Sequence, residues 1–370
     1  MNKRKRTATV TFHGAHNYGS VLQAYALQQV IRQLGYTNDI INLRTARQKD
    51  LYTVFTKRKG IKYILKNLIH AWYYRPLKRK YDKFEEFIAT KLSLTDEYAT
   101  EEELKDAKFD YDCYIAGSDQ IWNPVPTDFD WSYYLTFVSH GRKISYAPSF
   151  GQLSSLGSED TRNKIACELK SFDKISVREK GSAENVELLT GTSPDIVLDP
   201  TLLLQKERWL RLIDTEKPII DGDYIFFYTL FSDPRCMQIV KTISKELNLK
   251  VIVSNFSNQY DVVTPFEKVY DTGPLDFLNL VYNARLSVCS SFHGTVFSVI
   301  FNTPFLAIDG LDDARITTLL TNCKLEHRAV TDKNIKEKCA IAMDTSDFEV
   351  ANSQLEILRN RSIDFLKNNI

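Results

Sequence analysis

Apolar residues along the chain follow two rhythms. Short β-rich runs alternate with stretches in which apolar positions recur at helical spacing. Residues 7–12 form the first run. After the loop His13-Gly14-Ala15-His16-Asn17-Tyr18-Gly19, the residues Leu22, Ala26, Leu27, Val30, Ile31 and Leu34 share one face of a helix predicted over 20–34. Gly35 closes that helix and 39–43 is the next strand, a βαβ opening. Further strands are predicted at 111–116, 144–147, 172–178 and 196–198. A second series starts at 224–229 and continues through helix 234–247, strand 250–253, helix 276–283, strand 286–289, helix 295–301 and a strand ending at Ile308. Two more helices are predicted, one following Asp312-Asp313-Ala314-Arg315 and one over 347–366. Strands alternating with helices predict parallel sheets. The expected class is α/β, with two Rossmann-like domains facing a cleft.

The domain boundaries follow from breaks in the alternation. Residues 1–204 form the expected first domain and 223–345 the second. The connection 205–222 is punctuated by Lys217-Pro218 and Asp221-Gly222. The helix of 346–370 is placed to return to the first domain. Residues 44–110 interrupt the first domain and read as a helical insertion. Between Lys57 and Lys83 the chain carries ten Lys/Arg and one acid, Asp82, interleaved with Ile64, Leu65, Leu68, Ile69, Trp72, Tyr73 and Tyr74. Such a segment fits an anionic membrane surface or an acidic glycan. It also fits a solvated helix pair that packs its aromatic side on the domain, the simpler reading. An acidic helix opened by the capping box Thr100-Glu101-Glu102-Glu103 follows and is suited to pair with it.

Composition narrows the function classes. Forty-eight basic and 47 acidic residues give no global field for a nucleic acid. The six cysteines are scattered, with no CxxC and no His/Cys ligand spacing, so neither a disulfide framework nor a metal site is expected. The longest apolar runs fall well short of 18 residues. The expectation is a soluble cytoplasmic protein, with peripheral contact at the inner face of the membrane through 57–83 as the alternative role of that segment. The first turn is neither GxGxxG nor a P-loop, since four residues separate Gly14 and Gly19 and no Gly-Lys-Ser/Thr follows.

Candidate chemistry gathers at the predicted strand tips, where open α/β sheets bind ligands. His16, Asn17 and Gly19 lie in the first turn, which is suited to a phosphate or a sugar hydroxyl at a helix N-terminus. Gly117-Ser118-Asp119-Gln120-Ile121-Trp122-Asn123-Pro124 follows the strand 111–116. Ser118, Asp119 and Gln120 offer hydrogen bonds to hydroxyls, and Trp122 offers an indole to stack on a pyranose. Arg178 fits either a fork onto a carboxylate or phosphate, or a salt bridge with Glu179. In the second half, Ser290, Ser291, His293 and Gly294 occupy a strand-to-helix turn. There an imidazole beside an anion-favouring helix end is placed for proton transfer, or simply caps the turn.

The ordered strings AHNYGSVLQAYAL (15–27), AGSDQIWNP (116–124), SYAPSFG (145–151), ISVREKGS (175–182), VLDPTLLL (197–204) and SSFHGTVFSVIFNTPF (290–305) together resemble the polysaccharide pyruvyl transferase family. The resemblance implies a fold like the two-domain GT-B glycosyltransferases. It also implies transfer of a pyruvyl group from phosphoenolpyruvate to a sugar of a cell-surface polysaccharide, or of its lipid-linked precursor, as a cyclic ketal. No cofactor is implied beyond phosphoenolpyruvate as donor. His293 is then the expected acid/base and Arg178 the expected anion contact. Asp119, with Gln120 and Trp122, would position the acceptor, and Asn17 with Gly19 would line the cleft floor. Family members often carry an arginine one or two residues before this histidine, where Ser290 and Ser291 stand here, and Arg315 is the nearby cation placed to substitute. The competing expectations are a glycosyltransferase using a nucleotide sugar with Asp119 as base, and a non-catalytic carbohydrate-binding protein of a glycan assembly pathway.

Overall fold

A computed structural model describes residues 5–151, 156–230, 233–254 and 264–370. It divides into two compact units, one of residues 1–51, 86–204 and 357–370 and one of residues 52–85 and 205–356. The first opens with β1 (Arg6–Val10), α1 (Tyr18–Gln33), β2 (Thr37–Leu43) and α2 (Ala46–Tyr52). The chain passes through α3 (Ile61–Trp72) and α4 (Tyr74–Lys91) and returns as β3 (Leu94–Tyr98) and α5 (Glu101–Asp106). Then come β4 (Cys113–Ala116), β5 (Arg142–Ser145), α6 (Glu159–Leu169), β6 (Ser176–Val177), α7 (Lys180–Thr190) and β7 (Asp195–Ile196).

Five strands pair in parallel in the order β3-β2-β1-β4-β5, and β6 and β7 form a small parallel pair of their own. Ala8, Val10, Ile40, Ile115 and Ile144 are fully buried, as parallel strands covered on both faces require. Helix α1 is buried almost all round, so its sequence shows an apolar stripe wider than one face.

The segment expected to be a helical insertion differs in two ways. It supplies β3, an edge strand in which Leu94 pairs with Ile40 and Tyr98 with Leu43. Its sequence, LTDEY, is polar enough for a half-solvated edge and so carries little apolar signal. In addition, α3 does not pack its apolar side inward. Ile61, Ile64, Leu65, Leu68 and Trp72 are exposed.

The second unit contains α8 (Lys206–Leu210), β8 (Tyr224–Tyr228), α9 (Pro234–Leu247), β9 (Lys250–Ser254), β10 (Glu267–Val269), α10 (Pro274–Asn283) and β11 (Leu286–Cys289). It continues with α11 (Phe292–Phe301), β12 (Phe305–Ile308), α12 (Ala314–Cys323), β13 (Ala329–Val330), α13 (Ile335–Ile341) and the start of α14 (Asp347–Asn369). Its sheet is parallel, in the order β10-β9-β8-β11-β12-β13. The expected connection 205–222 falls in this unit. Trp209 is fully buried edge-on to Phe297, with ring centroids 5.0 Å apart, and Lys206 Nζ donates to Phe301 O at 2.6 Å. A buried indole contributes more than a linker's solvation would, so the segment packs.

Two arginine contacts fix the C-terminal part of the chain. Arg328, buried, forks onto Asp347 through Nε at 2.7 Å and Nη2 at 2.8 Å, donates through Nη1 to Phe305 O at 3.2 Å, and lies against the Phe305 and Phe348 rings. Residues 357–370 belong to the first unit. There Arg359 Nε donates to Leu202 O at 2.9 Å and Ser362 Oγ accepts from Leu198 N at 3.0 Å.

Within α4, Lys80 is buried, and burial alone lowers its ammonium to about 8 from the ordinary lysine value of 10.5. Below pH 8 the folded and unfolded forms both carry the charge, and folding bears the full burial cost. Between pH 8 and 10.5 the folded form has shed a proton that the unfolded chain keeps, so stability rises with pH. We expect this rise to amount to about 3 kcal/mol. Urea unfolding of wild type and Lys80→Met across that range tests it. The difference between the two proteins should shrink as pH increases, and a constant difference would refute the assignment.

Candidate functional site

Each sheet reverses its winding once, between β1 and β4 in the first unit and between β8 and β11 in the second. The crevice at such a switch point lies beyond the strand C-termini, where helix N-termini also point. His16, Asn17, Gly19, Ser118 and Asp119 fall at the first of these edges, and Ser290, Ser291, His293 and Gly294 at the second.

In the first unit, Asn17 caps α1, its side chain accepting from the Gly19 amide at 2.9 Å. Asn17 and Gly19 are therefore parts of the helix start, and His16 is half-buried beside them. His13 is fully buried, with Nδ1 3.1 Å from Thr11 O and Nε2 2.9 Å from Asn42 Oδ1, which makes it a structural histidine. Across the switch point, Ser20 Oγ donates to Asp119 Oδ2 at 2.6 Å, and Thr11 Oγ1 donates to Ser118 O at 3.1 Å. Asp119 adopts a left-handed backbone conformation (φ 76°) that aims its carboxylate back at α1. Oδ1 of the same carboxylate accepts from the Gln120 amide at 2.9 Å. Gln120 Oε1 accepts from Asn123 Nδ2 at 3.0 Å, which braces the loop.

Of the two roles expected for Arg178, the structure shows the salt bridge with Glu179 and not a free anion fork. It is buried, with Nη1 3.0 Å from Asp199 Oδ2, Nε 3.3 Å from Glu179 Oε2, and Asp119 Oδ1 at 3.9 Å. Burial works against its charge, but Glu179, Asp199 and Asp119 outweigh that and hold the guanidinium above the ordinary arginine value. Glu179 also accepts from Ser182 Oγ, and the Asp199 carboxylate takes Thr201 N at 3.0 Å and Thr201 Oγ1 at 2.6 Å. Ser118 Oγ lies within reach of both Ala147 O and Asp199 Oδ2. Sequence reading missed Ser20, Asp199 and Ser182 as members of this network. The Asp199-Pro200 pair, a cap followed by proline, was the available signal.

Trp122 does not fill the expected role either. It is fully buried, stacked on Tyr134 at 5.4 Å with an interplanar angle of 5°, and enclosed by Phe150 and Phe172. Its face is spent on the core, so it cannot receive a sugar.

In the second unit, α11 begins earlier than expected, with Ser291 as N-cap, which places His293 inside the first helical turn. Thr295 N is bonded back to Ser291 O at 3.1 Å, and the amides ahead of it point out of the helix end. Ser290 Oγ donates to Thr229 Oγ1 at 2.7 Å, which ties the β11 tip to the β8 tip across the switch point. His293 is buried to 8% exposure, with the Phe292 ring edge-on at 5.1 Å. Gly294 is there because nothing larger fits. A Cβ would stand 2.9 Å from both Cys289 Sγ and Tyr228 Cδ1. Burial pushes the Cys289 thiol up to about 11, so it stays protonated near neutrality and is no nucleophile. Arg315, expected to stand in for the missing arginine, instead grips Asp313 through Nε at 3.0 Å and Nη2 at 2.5 Å at the start of α12. Thr229 is the residue here that sequence reading missed. Its place at the C-terminal end of the strand predicted over 224–229 was the signal.

Comparison with known proteins gives two results. The family model described as polysaccharide pyruvyl transferase matches residues 17–312, most of the chain. No curated protein matches the sequence. Among solved structures, a candidate UDP-N-acetylglucosamine 2-epimerase from Listeria monocytogenes is similar with a TM-score of 0.57 and 11% identity, over 99% of this chain and 94% of that one. The Methanocaldococcus jannaschii UDP-GlcNAc 2-epimerase in complex with UDP-GlcNAc and UDP gives 0.53 and 11%, over 96% and 99%. Anabaena HepE in complex with UDP and glucose gives 0.53 and 9%, over 99% and 98%. At these identities the likeness establishes the fold alone, a GT-B-like α/β architecture of two Rossmann-like domains.

Two substitutions test these placements. Arg178→Met takes the cation from beside Asp199 and Glu179, and we expect a loss of about 3–5 kcal/mol in denaturant unfolding. A loss below 1 kcal/mol would mean the network is not structural. Gly294→Ala is expected to cost about 1–3 kcal/mol through overpacking against Cys289 and Tyr228. Unchanged unfolding would show that β11 and α11 can separate.

Proposed function

This chain belongs to the polysaccharide pyruvyl transferase family, and from that membership we propose that it moves the pyruvyl group of phosphoenolpyruvate onto a sugar as a cyclic ketal. The acceptor is a sugar of a polysaccharide or of its lipid-linked precursor. The observation that carries the reading is the family match itself, which runs from Asn17 through the His293 turn.

The α11 N-terminus is assigned to the donor. Phosphoenolpyruvate bears a phosphate and a carboxylate, and the first-turn amides and dipole of a helix favour anions. Ser291 adds a hydroxyl donor at the same tip, while Ser290, whose hydroxyl proton goes to Thr229, ties the β8 and β11 tips together. His293 delivers a proton to the enol methylene carbon, leaving an electrophilic carbon that carries the phosphate oxygen. One sugar hydroxyl adds there and gives up its proton. The carbon–oxygen bond to phosphate then breaks, with the electron pair leaving on phosphate. The second hydroxyl closes the ring and releases its proton. Of the two protons released, one balances the proton consumed and the other is taken up by phosphate or solvent. Arg178 and Arg315 have no direct part in this scheme, because each is committed to carboxylates of the protein. Asp119 acts as a positioning residue that joins α1 to the β4 tip.

The test is thermal unfolding with phosphoenolpyruvate and, in parallel, with nucleotide sugars. A ligand at 100 times its Kd adds about 2.7 kcal/mol, a shift of several degrees. We expect a shift with phosphoenolpyruvate, and we expect His293→Gln to keep the fold while losing about 10²–10⁴-fold in pyruvyl transfer to a sugar acceptor. A shift with nucleotide sugars alone would replace the reading by glycosyl transfer. Near wild-type turnover of His293→Gln would remove the acid/base assignment.

A further inference from the structure

Helix α3 is amphipathic in the inverse sense for a helix on a folded unit. Ile61, Ile64, Leu65, Leu68 and Trp72 recur at the spacing that shares one face, and that face is turned to solvent. Ile61 is 78% exposed, Leu68 63% and Trp72 87%. The opposite, polar face is the one that is anchored. Asn67 Oδ1 accepts from Thr56 N at 3.1 Å, Asn67 Nδ2 donates to Thr56 O at 3.0 Å, and His70 Nδ1 is bonded to Val54 O. These contacts fix the rotation of the helix about its own axis. The following helix holds the pair to the rest of its unit through Arg79–Asp271 and Lys83–Asp276, both at 2.7 Å.

The margin of the apolar face carries charge of one sign. Lys57, Arg58, Lys59 and Lys62 are exposed at the start of α3, and Arg75 is exposed just beyond its end. A second copy of this chain would bring the same cations against themselves, whereas an anionic headgroup layer neutralises them. At 12 residues the helix is about 18 Å long, too short to cross a bilayer of about 30 Å but suited to lie in its surface. No helix among the described residues is long and apolar enough to cross.

We propose that α3 docks this protein on an anionic lipid bilayer, with Leu68 and Trp72 among the acyl chains and Lys57–Lys62 and Arg75 among the headgroups. The proposal does not rest on the pyruvyl transfer reading. It would equally deliver any enzyme of this fold to a substrate held at a membrane.

The test is co-sedimentation of the full chain with vesicles of equimolar phosphatidylcholine and phosphatidylglycerol, and with vesicles of phosphatidylcholine alone. We expect binding to the anionic vesicles, weakened by salt. The pairs Leu68→Glu with Trp72→Glu, and Lys59→Glu with Lys62→Glu, should each lower partitioning about tenfold or more, since one basic residue at the surface contributes about fivefold. All four side chains are exposed, so circular dichroism and thermal unfolding should match wild type. A ligand shift with phosphoenolpyruvate should persist in both variants, which separates failure here from failure of the functional reading. Three results would overturn the proposal: no wild-type binding to anionic vesicles, binding indifferent to both variants, or self-association in sedimentation that Leu68→Glu with Trp72→Glu abolishes while vesicles remain unbound.

Discussion

A parallel sheet wound with helices brings strand ends and helix N-termini to one edge, where backbone donors and aligned dipoles must be answered by something. The two units answer this constraint differently. In the first, the edge is closed by the protein's own charges. Asp119, Glu179 and Asp199 surround the Arg178 guanidinium, and the hydroxyls of Ser20, Ser118, Ser182 and Thr201 take up remaining lone pairs. A buried network of this kind is stable only when nearly every member is satisfied. In the second unit, the corresponding edge is lined by the Ser290, Ser291 and Thr229 hydroxyls and the His293 imidazole.

This contrast decides which of the candidate residues are architectural. Arg178 has the residue type expected of a phosphate clamp and the position of one. Its environment is what disqualifies it, because a guanidinium held by two carboxylates within hydrogen-bond range would have to abandon both to receive an anion. The energetic loss would be that of breaking a buried pair, several kcal/mol, which ligand binding would have to offset. Trp122 is disqualified by packing in the same way, since it is fully buried and stacked on Tyr134 among further aromatic neighbours.

How much of this was legible in the sequence depended on whether a residue's neighbours were local. The strands 224–228 and 286–289 are marked by runs of apolar residues, and the helix 234–247 by its apolar positions between the caps Asp233 and Asn248, so periodicity finds them. The β11–α11 turn was legible as a unit because its parts are adjacent in the chain. Strand β3 was not, since an edge strand can be polar throughout. The Arg178 network was not either, because Asp119, Arg178 and Asp199 are separated by 59 and 21 positions and meet only when β4, β6 and the turn after β7 are in register. The direction of α3 was likewise hidden. An amphipathic pattern says that a helix has two faces, and only the anchoring of Asn67 and His70 says which one turns inward.

The two serines ahead of His293 bear on what the second edge can do. An arginine there would bind an anion as tightly in the product as in the substrate. A helix end presents roughly half a positive charge through fixed amides, and the Ser291 hydroxyl adds a donor without a full cation. Under the donor reading proposed above, such a site would favour charge as it develops on a departing phosphate without holding the released anion by an ion pair. Interactions that strengthen along the reaction coordinate raise turnover, whereas those that are uniform raise only affinity. A site built from a helix end and a serine hydroxyl is therefore compatible with the phosphoenolpyruvate reading proposed above, provided His293 supplies the proton that makes the carbon electrophilic before phosphate leaves.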